Sequence, residues 1–204
     1  MNVKQALETL RKEKKRKFDQ SIDLIVNLKG VDLRKDNIVA VLNVPHKIKE
    51  KKVCGFLDKK SELVKTITKP DFAKYKDKDA LKKLVNEYDY FIAIAGLMPA
   101  VATTFGKVLG PVGKMPSPQL GILPNYDEAA IKAVLEKISK SIKLRAKEPS
   151  IKLCVGKENM KDEEIEENVK SIYEGIVKAL PTHKENVKSV MLKFTMSKPI
   201  KLEL

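Results

Sequence analysis

The stretch GKVLGPVGKMPSPQLG, Gly106 to Gly121, holds four of the chain's nine glycines and three of its ten prolines. Lys107 and Lys114 are its only charges. Glycine and lysine at this density suggest a phosphate cradle, because backbone N–H groups close on an anion most easily where side chains are absent. A Walker loop, however, needs G-x-x-x-x-G-K followed by Ser or Thr. Here Gly113-Lys114 is followed by Met115, and Val108 stands where the first glycine belongs. No G-x-G-x-x-G fingerprint occurs either. Nucleophilic machinery is equally thin, with no G-x-S-x-G elbow and no H-E-x-x-H pair. His46 and His183 lie far from each other and from any Cys-x-x-Cys spacing, so no metal site is expected. The acidic run ENMKDEEIEEN, residues 158–168, reads as the capped first turn and solvated face of a helix. Cys54 and Cys154 each sit in an apolar run, as buried thiols of a reducing compartment do. No catalytic residue and no cofactor follow from these patterns.

Charge points elsewhere. Lys and Arg number 41 against 27 Asp and Glu, a net charge of +14, while apolar content is an ordinary 43%. A folded protein with that field attracts polyanions and gains a sequence-independent share of affinity for phosphate backbones. The segment RKEKKRKFD places six basic residues just ahead of Phe18. An aromatic opening a strand can stack a base while flanking lysines hold the backbone. Taken alone, Phe18 reads better as a core residue, and the lysine run as a solvated helix end. FTMSKP, residues 194–199, reads as a strand terminus whose small and hydroxyl side chains permit close approach to sugar and phosphate.

The elements that would position these residues follow from periodicity. Val3, Leu7 and Leu10 share a helical face. In SIDLIVNL, residues 21–28, Ile22, Leu24, Val26 and Leu28 alternate as a half-buried strand, KGVD turns the chain, and NIVAVLNV reads as its partner strand. After the basic connector HKIKEKK, VCGFL is a strand buried on both faces. Helices are predicted in KKSELVKTI and DALKKLVNEY, then a strand in YFIAIA, then helices in MPAVATTFGKVLG and YDEAAIKAVLEKISK. Gly96 and Pro99 split the uncharged run 90–106 into a strand-like and a helix-like half, which reads as a buried strand turning into a core helix in preference to a membrane span. Past Glu148-Pro149 come the strand SIKLCVG, a long helix to Leu180, and the strands VKSVMLKFTM and IKLEL. The ends are thus α+β and the middle α/β. The pattern alone does not decide whether the two ends fold together. The polar connectors suit hinge motion.

Four segments, KFDQSIDLIVNLKGVD, GKVLGPVGKMPSPQLG, CVGKENM and FTMSKP, stand in the order expected of the family of large-subunit ribosomal protein number one, and from Lys17 onward the chain resembles its archaeal-type members. The resemblance implies a discontinuous domain I, residues 1–52 plus 149–204, α+β with split β-α-β topology. It implies an inserted Rossmann-like α/β domain II, residues 53–148. Domain I would bind large-subunit ribosomal RNA at the mobile stalk beside the exit-site tRNA, and a similar structure in the protein's own mRNA, repressing translation. By motif, the RNA contacts would be Lys17, Phe18, Asp23, Lys152, Gly156, Lys157, Thr195, Met196 and Ser197. Ser197 departs from the family's usual glycine. Lys107, Gly110, Gly113 and Lys114 would belong to a proline-pinned turn facing an interdomain cleft or a secondary RNA or tRNA. The implied protein is cytoplasmic, on the ribosome, monomeric when free, without a membrane partner and not an enzyme. The competing readings are an α/β nucleotide-binding enzyme and a non-specific basic nucleic-acid-binding protein.

Overall fold

A computed structural model describes residues 1–12, 16–32, 38–75, 77–118, 120–146 and 148–203. Lys14, Lys15, Asn37, Gln119 and Leu204, which figure in the motifs above, lie outside the described residues. In chain order the first elements are α1 (Val3–Arg11), β1 (Ser21–Leu28), β2 (Val39–Asn43), β3 (Val53–Phe56), β4 (Lys65–Ile67), α2 (Lys78–Glu87) and β5 (Tyr90–Ile94). Then come α3 (Met98–Val112), β6 (Ile122–Leu123), α4 (Glu128–Ser139), β7 (Ser141–Arg145), β8 (Ser150–Lys157), α5 (Asp162–Ala179), β9 (Val187–Phe194) and β10 (Ile200–Leu202). The chain divides into two units, Met1–Lys49 with Lys140–Leu204, and Glu50–Ser139. The second crossing falls at Lys140 rather than at Glu148-Pro149, because β7 pairs with β2 residue for residue, Val39 opposite Arg145 through Asn43 opposite Ser141.

The first unit is built around β1. Its four-stranded sheet runs β10-β9-β1-β8, and every pairing is antiparallel. β8 and β9 are therefore parallel to each other and joined through α5, with β1 inserted between them: a split β-α-β arrangement. Strict alternation along β1 sends Ile22, Leu24, Val26 and Leu28 into the core, where α1 contributes Val3, Leu7 and Leu10 and α5 contributes Ile165, Val169, Ile172 and Ile176. The expected hairpin from β1 to β2 does not form. Both edges of β1 are already occupied, so β2 pairs with β7 as a separate two-stranded sheet. Between Ile22 and Asp23 the register on β8 jumps from Gly156 to Cys154, leaving Val155 as a bulge. The buried Asn168 amide donates to the Val155 carbonyl at 3.0 Å and also clasps both main-chain groups of His46. The carbonyl stranded by the bulge thereby finds a partner.

The second unit carries a parallel sheet in the order β4-β3-β5-β6. Apolar residues along β5 alternate between two cores. Phe91 and Ala93 meet Leu84, Phe105 and Leu109 of α2 and α3, while Ile92 and Ile94 meet Ile131 and Ile138 of α4. That explains the unbroken apolar run of this strand. Phe56, Phe72, Phe91 and Phe105 interlock, with centroids from 4.8 to 5.8 Å apart. The helix expected in KKSELVKTI is absent: residues 57–64 cross from β3 to β4 without one, and Lys65–Ile67 is a strand. Thr66 and Ile67, β-branched and beside the open edge of β3, pair more readily than they coil. No helix N-terminus therefore follows β3, where a doubly wound nucleotide site places its phosphate. No helix among the described residues is long and apolar enough to cross a membrane. Cys54 is buried and Cys154 half-buried, and both are free thiols.

Lys51 joins the start of this unit to its end, donating from Nζ to the Ile138 carbonyl at 2.7 Å above the Tyr90 ring. Burial lowers its pKa to about 8, against a smaller opposing pull from Asp89. Between pH 8 and the unfolded value near 10.4 the unfolded chain binds the extra proton, so this contribution to stability grows with pH. The urea midpoint of the wild type relative to Lys51→Met should therefore move in the wild type's favour between pH 7 and 9.5. A difference that stays flat across that range would mean the ammonium is solvated.

Candidate nucleic-acid interface

One end of the first unit's sheet gathers the motifs from both chain termini. β1 begins there, and β8 and β9 end there. Thr195 is the joint. Its main-chain N donates to the Ser21 carbonyl at 3.1 Å, and its hydroxyl accepts from Ser21 N at 3.1 Å and donates to Ser21 O at 3.2 Å. One hydroxyl lone pair is left over by these two bonds. Met196, next in the chain, and Phe18, two residues ahead of Gln20, are 59% and 51% exposed, far more than side chains of that size usually are. The core reading of Phe18 is thus overturned. It lies ahead of β1, at a bend, and the alternation that buries Ile22 does not extend back to it.

The residue holding these pieces together is Gln20, 5% exposed. Its Nε2 and main-chain N both donate to Glu158 Oε2, at 3.3 and 3.4 Å, its main-chain carbonyl accepts from Glu158 N at 2.9 Å, and its Oε1 accepts from Met196 N at 3.3 Å. Arg11 secures the same loop from below. Its Nε and Nη2 bind Asp162 Oδ1 at 2.9 and 2.7 Å, and the guanidinium also donates to the Glu158 and Met160 carbonyls, each at 3.0 Å. Neither Gln20 nor Glu158 is singled out by sequence, and Arg11 figures there only as the first of the six basic residues ahead of Phe18. Their types are common at strand ends, and only the register brings residues 20, 158 and 196 together.

Of the other sequence-expected residues, Lys17 is exposed ahead of Phe18, and Lys157 pairs with Asp19 at 3.7 Å. Ser197 closes a tight turn after β9, its N donating to the Phe194 carbonyl at 3.1 Å and its Oγ accepting from Phe194 N at 2.8 Å. Its backbone does not enter the left-handed region. The Ser197 side chain is therefore accommodated by folding inward as a cap. Gly156 is buried, and a Cβ there would meet Ile165 Cγ1 at 3.1 Å, so it serves the close approach of α5 rather than the surface. Asp23 lies on the other face from the core, opposite Lys193 and Cys154. Burial, aided by the Asp23 charge, pushes the Cys154 thiol up. Lys152 is exposed but stands five residues along β8 from Lys157, roughly 16 Å away at strand rise. It does not belong to this cluster.

The glycine- and proline-rich segment is more helical than a turn. α3 runs on to Val112, so Lys107 and Gly110 are exposed on a helix, and Gly113 caps it with φ 75°. Lys114 Nζ donates to the Val85 and Tyr88 carbonyls, both at 2.7 Å, where α2 ends. That is the place a helix dipole favours a cation. No group of His, Cys, Asp and Glu suited to holding a metal is found among the described residues.

The Ribosomal protein L1p/L10e family model matches residues 10–198. The large ribosomal subunit protein uL1 of Pyrobaculum calidifontis is 34% identical over 98% of this chain and 92% of its own length. That of Thermofilum pendens is 35% identical over 98% and 90%, and that of Nanoarchaeum equitans 34% over 94% and 95%.

The bonds around residues 20 and 197 predict a measurable cost. Gln20→Leu leaves the Met196 N–H without its partner and the Glu158 carboxylate with only the main-chain N of residue 20, and should lower unfolding free energy by about 1–3 kcal/mol. Ser197→Gly, which removes only the turn cap, should cost about 1 kcal/mol. Urea titrations of both variants decide; a Gln20→Leu protein as stable as wild type would show that water satisfies those groups.

Proposed function

The chain belongs to the Ribosomal protein L1p/L10e family, and from that membership we propose that it is a structural, non-catalytic constituent of the large ribosomal subunit that grips ribosomal RNA through the sheet end of its first unit. The observation that supports this most is the pair of exposed apolar side chains, Phe18 and Met196, carried by the two segments that the Thr195–Ser21 and Gln20–Met196 bonds hold together, within a strongly basic chain. Exposed apolar groups of this size on a rigid sheet end suit stacking and close packing against sugar. Lys17 and Lys157 supply phosphate neutralisation at the rim. The unused lone pair of the Thr195 hydroxyl accepts a hydrogen bond, and the ribose 2′-OH is a donor that DNA lacks.

Recognition on this reading is by shape. The Gln20–Glu158 pair and the Arg11 clasp hold the surface in its bound form beforehand, so little ordering entropy is lost on binding. The same surface would take a similarly folded element in the protein's own mRNA and so repress its translation, while ribosomal placement at the stalk would bring the protein beside exit-site tRNA. Lys107, exposed on α3, is the one lysine of the Gly106–Gly121 segment suited to a secondary RNA or tRNA contact, since the Lys114 ammonium is bound to main chain.

Binding of the full chain to a transcribed stalk fragment of large-subunit RNA, over a range of KCl concentrations, tests the division of labour. Thr195→Ala and Phe18→Ala should each weaken binding about tenfold or more with little change in salt dependence. Lys17→Ala or Lys157→Ala should reduce the log–log salt slope by ~0.9 for each phosphate no longer neutralised. Equal affinity for the fragment and for random duplex RNA would reject specific recognition.

A further inference from the structure

The second unit carries a groove of about 390 Å³ that the RNA-binding reading does not use. That size lies at the lower end of the range for sites of small organic ligands. The loop before β4 lines it with Lys60, Ser61 and Val64, the strand itself with Lys65, and the segment after it with Asp71 and Tyr75. Among the described residues β4 pairs with β3 alone, so its other edge is open. The lining is fixed in place on both sides. The Thr66 hydroxyl accepts from Ser61 N and donates to the Val64 carbonyl, each at 3.1 Å, and the Lys60 carbonyl accepts from Tyr126 Oη at 3.4 Å. Asp71 Oδ2 accepts from the Thr68 hydroxyl at 2.7 Å and from Thr68 N at 3.4 Å, and the centroid of the Tyr75 ring lies 6.0 Å from that of Phe105.

The polar groups left over are donors. Lys60 and Lys65 are exposed, and among the described residues their ammonium groups form no ion pair or hydrogen bond. Ser61 Oγ accepts from Leu63 N at 3.3 Å, while its own proton goes to no acceptor among the described residues. The carboxylate of the groove is already engaged by Thr68. Two ammonium groups and a hydroxyl therefore ask for an anion, and the buried Val64 and Ile67 add an apolar surface to the same lining.

We propose that this groove binds a small phosphate monoester, its phosphate taken by Lys60, Lys65 and the Ser61 hydroxyl and its organic part resting on Val64, Ile67 and the Tyr75 ring. A phosphate dianion brings three strong acceptor oxygens to three donors, which a carboxylate does not. The groove also has room beyond the phosphate itself, so it favours an ester over the inorganic ion. Because the lining is already fastened, little ordering entropy is lost on binding. The site lies wholly within Glu50–Ser139 and stands or falls independently of the RNA surface on the first unit.

Amide chemical shifts of the nitrogen-labelled full-length protein, titrated in phosphate-free buffer with ribose 5-phosphate, adenosine 5′-monophosphate, inorganic phosphate and adenosine, test the site. At least one ester should move the Ser61, Thr66 and Tyr75 amides in a saturable way and bind several-fold more tightly than inorganic phosphate, with adenosine moving none of them. The tighter of the two esters identifies the organic part. The Lys60→Gln, Lys65→Gln double variant should weaken that binding about tenfold or more, whereas Lys132→Gln, an exposed lysine of α4, should leave it unchanged. Two results overturn the proposal: no saturable shift at these residues, or shifts spread over the lysine-bearing surface that are equal for all three anions and reduced as much by Lys132→Gln as by the double variant.

Discussion

A strand from the beginning of the chain must lie between two strands from its end. β1 pairs with β8 on one side from Ser21 to Asn27 and with β9 on the other from Ile22 to Leu28. Both edges of β1 are taken up by residues more than a hundred positions away, and its apolar face closes the core between α1 and α5. Because a slip of one residue would turn every side chain to the opposite face, the placement of Ile22, Leu24 and Val26 in the core also sets which residues emerge at the sheet's end. Ser21 therefore meets Thr195, and Gln20 meets both Glu158 and Met196. The basic, partly apolar surface is a by-product of that one insertion.

A surface of this kind would be soft if it depended on loops alone. It is stiffened by buried or half-buried polar side chains whose bonding is complete. Asn168 satisfies the carbonyl of the bulged Val155, Asn186 ties Thr182 to Lys29, and Arg11 ties the first helix to the loop before α5. Among the described residues no buried side-chain polar atom lacks a partner. In a low-dielectric setting such networks hold one geometry, because leaving any member unpaired costs more than the bond itself contributes.

Strong periodicity made most of this architecture readable from sequence. The alternation of SIDLIVNL, the helical spacing of Ile165, Val169, Ile172 and Ile176, and the doubly buried YFIAI each correspond to an element of that kind. What failed was pairing. NIVAVLNV looked like the neighbour of β1 because it comes next, yet the far end of the chain had claim to both edges. β7 carries mixed lysine and apolar residues over a short span and gives no distinct signal, whereas Glu148-Pro149 just beyond it reads as punctuation, so the boundary expected from sequence lies after β7 rather than before it. KKSELVKTI has helical spacing, but a strand edge beside it outweighed that preference. At the candidate surface, the residues bearing a motif could be named in advance, whereas Gln20 and Glu158 owe their importance to a contact across the sheet that no local pattern encodes.

The interposed position of β1 has a consequence for biosynthesis. The second unit is a contiguous span, Glu50–Ser139, and its strands can pair as soon as they leave the exit tunnel. β1 cannot. About 170 residues must be translated after it before β9 exists, which at cellular elongation rates is on the order of ten to thirty seconds. Until β8 emerges an amphipathic strand with two open edges waits in solution, and until β9 emerges one edge remains open to intermolecular pairing. The basic segment that precedes it, residues 11–17, repelling other nascent chains, suits a polypeptide whose first strand is the last to be sheltered.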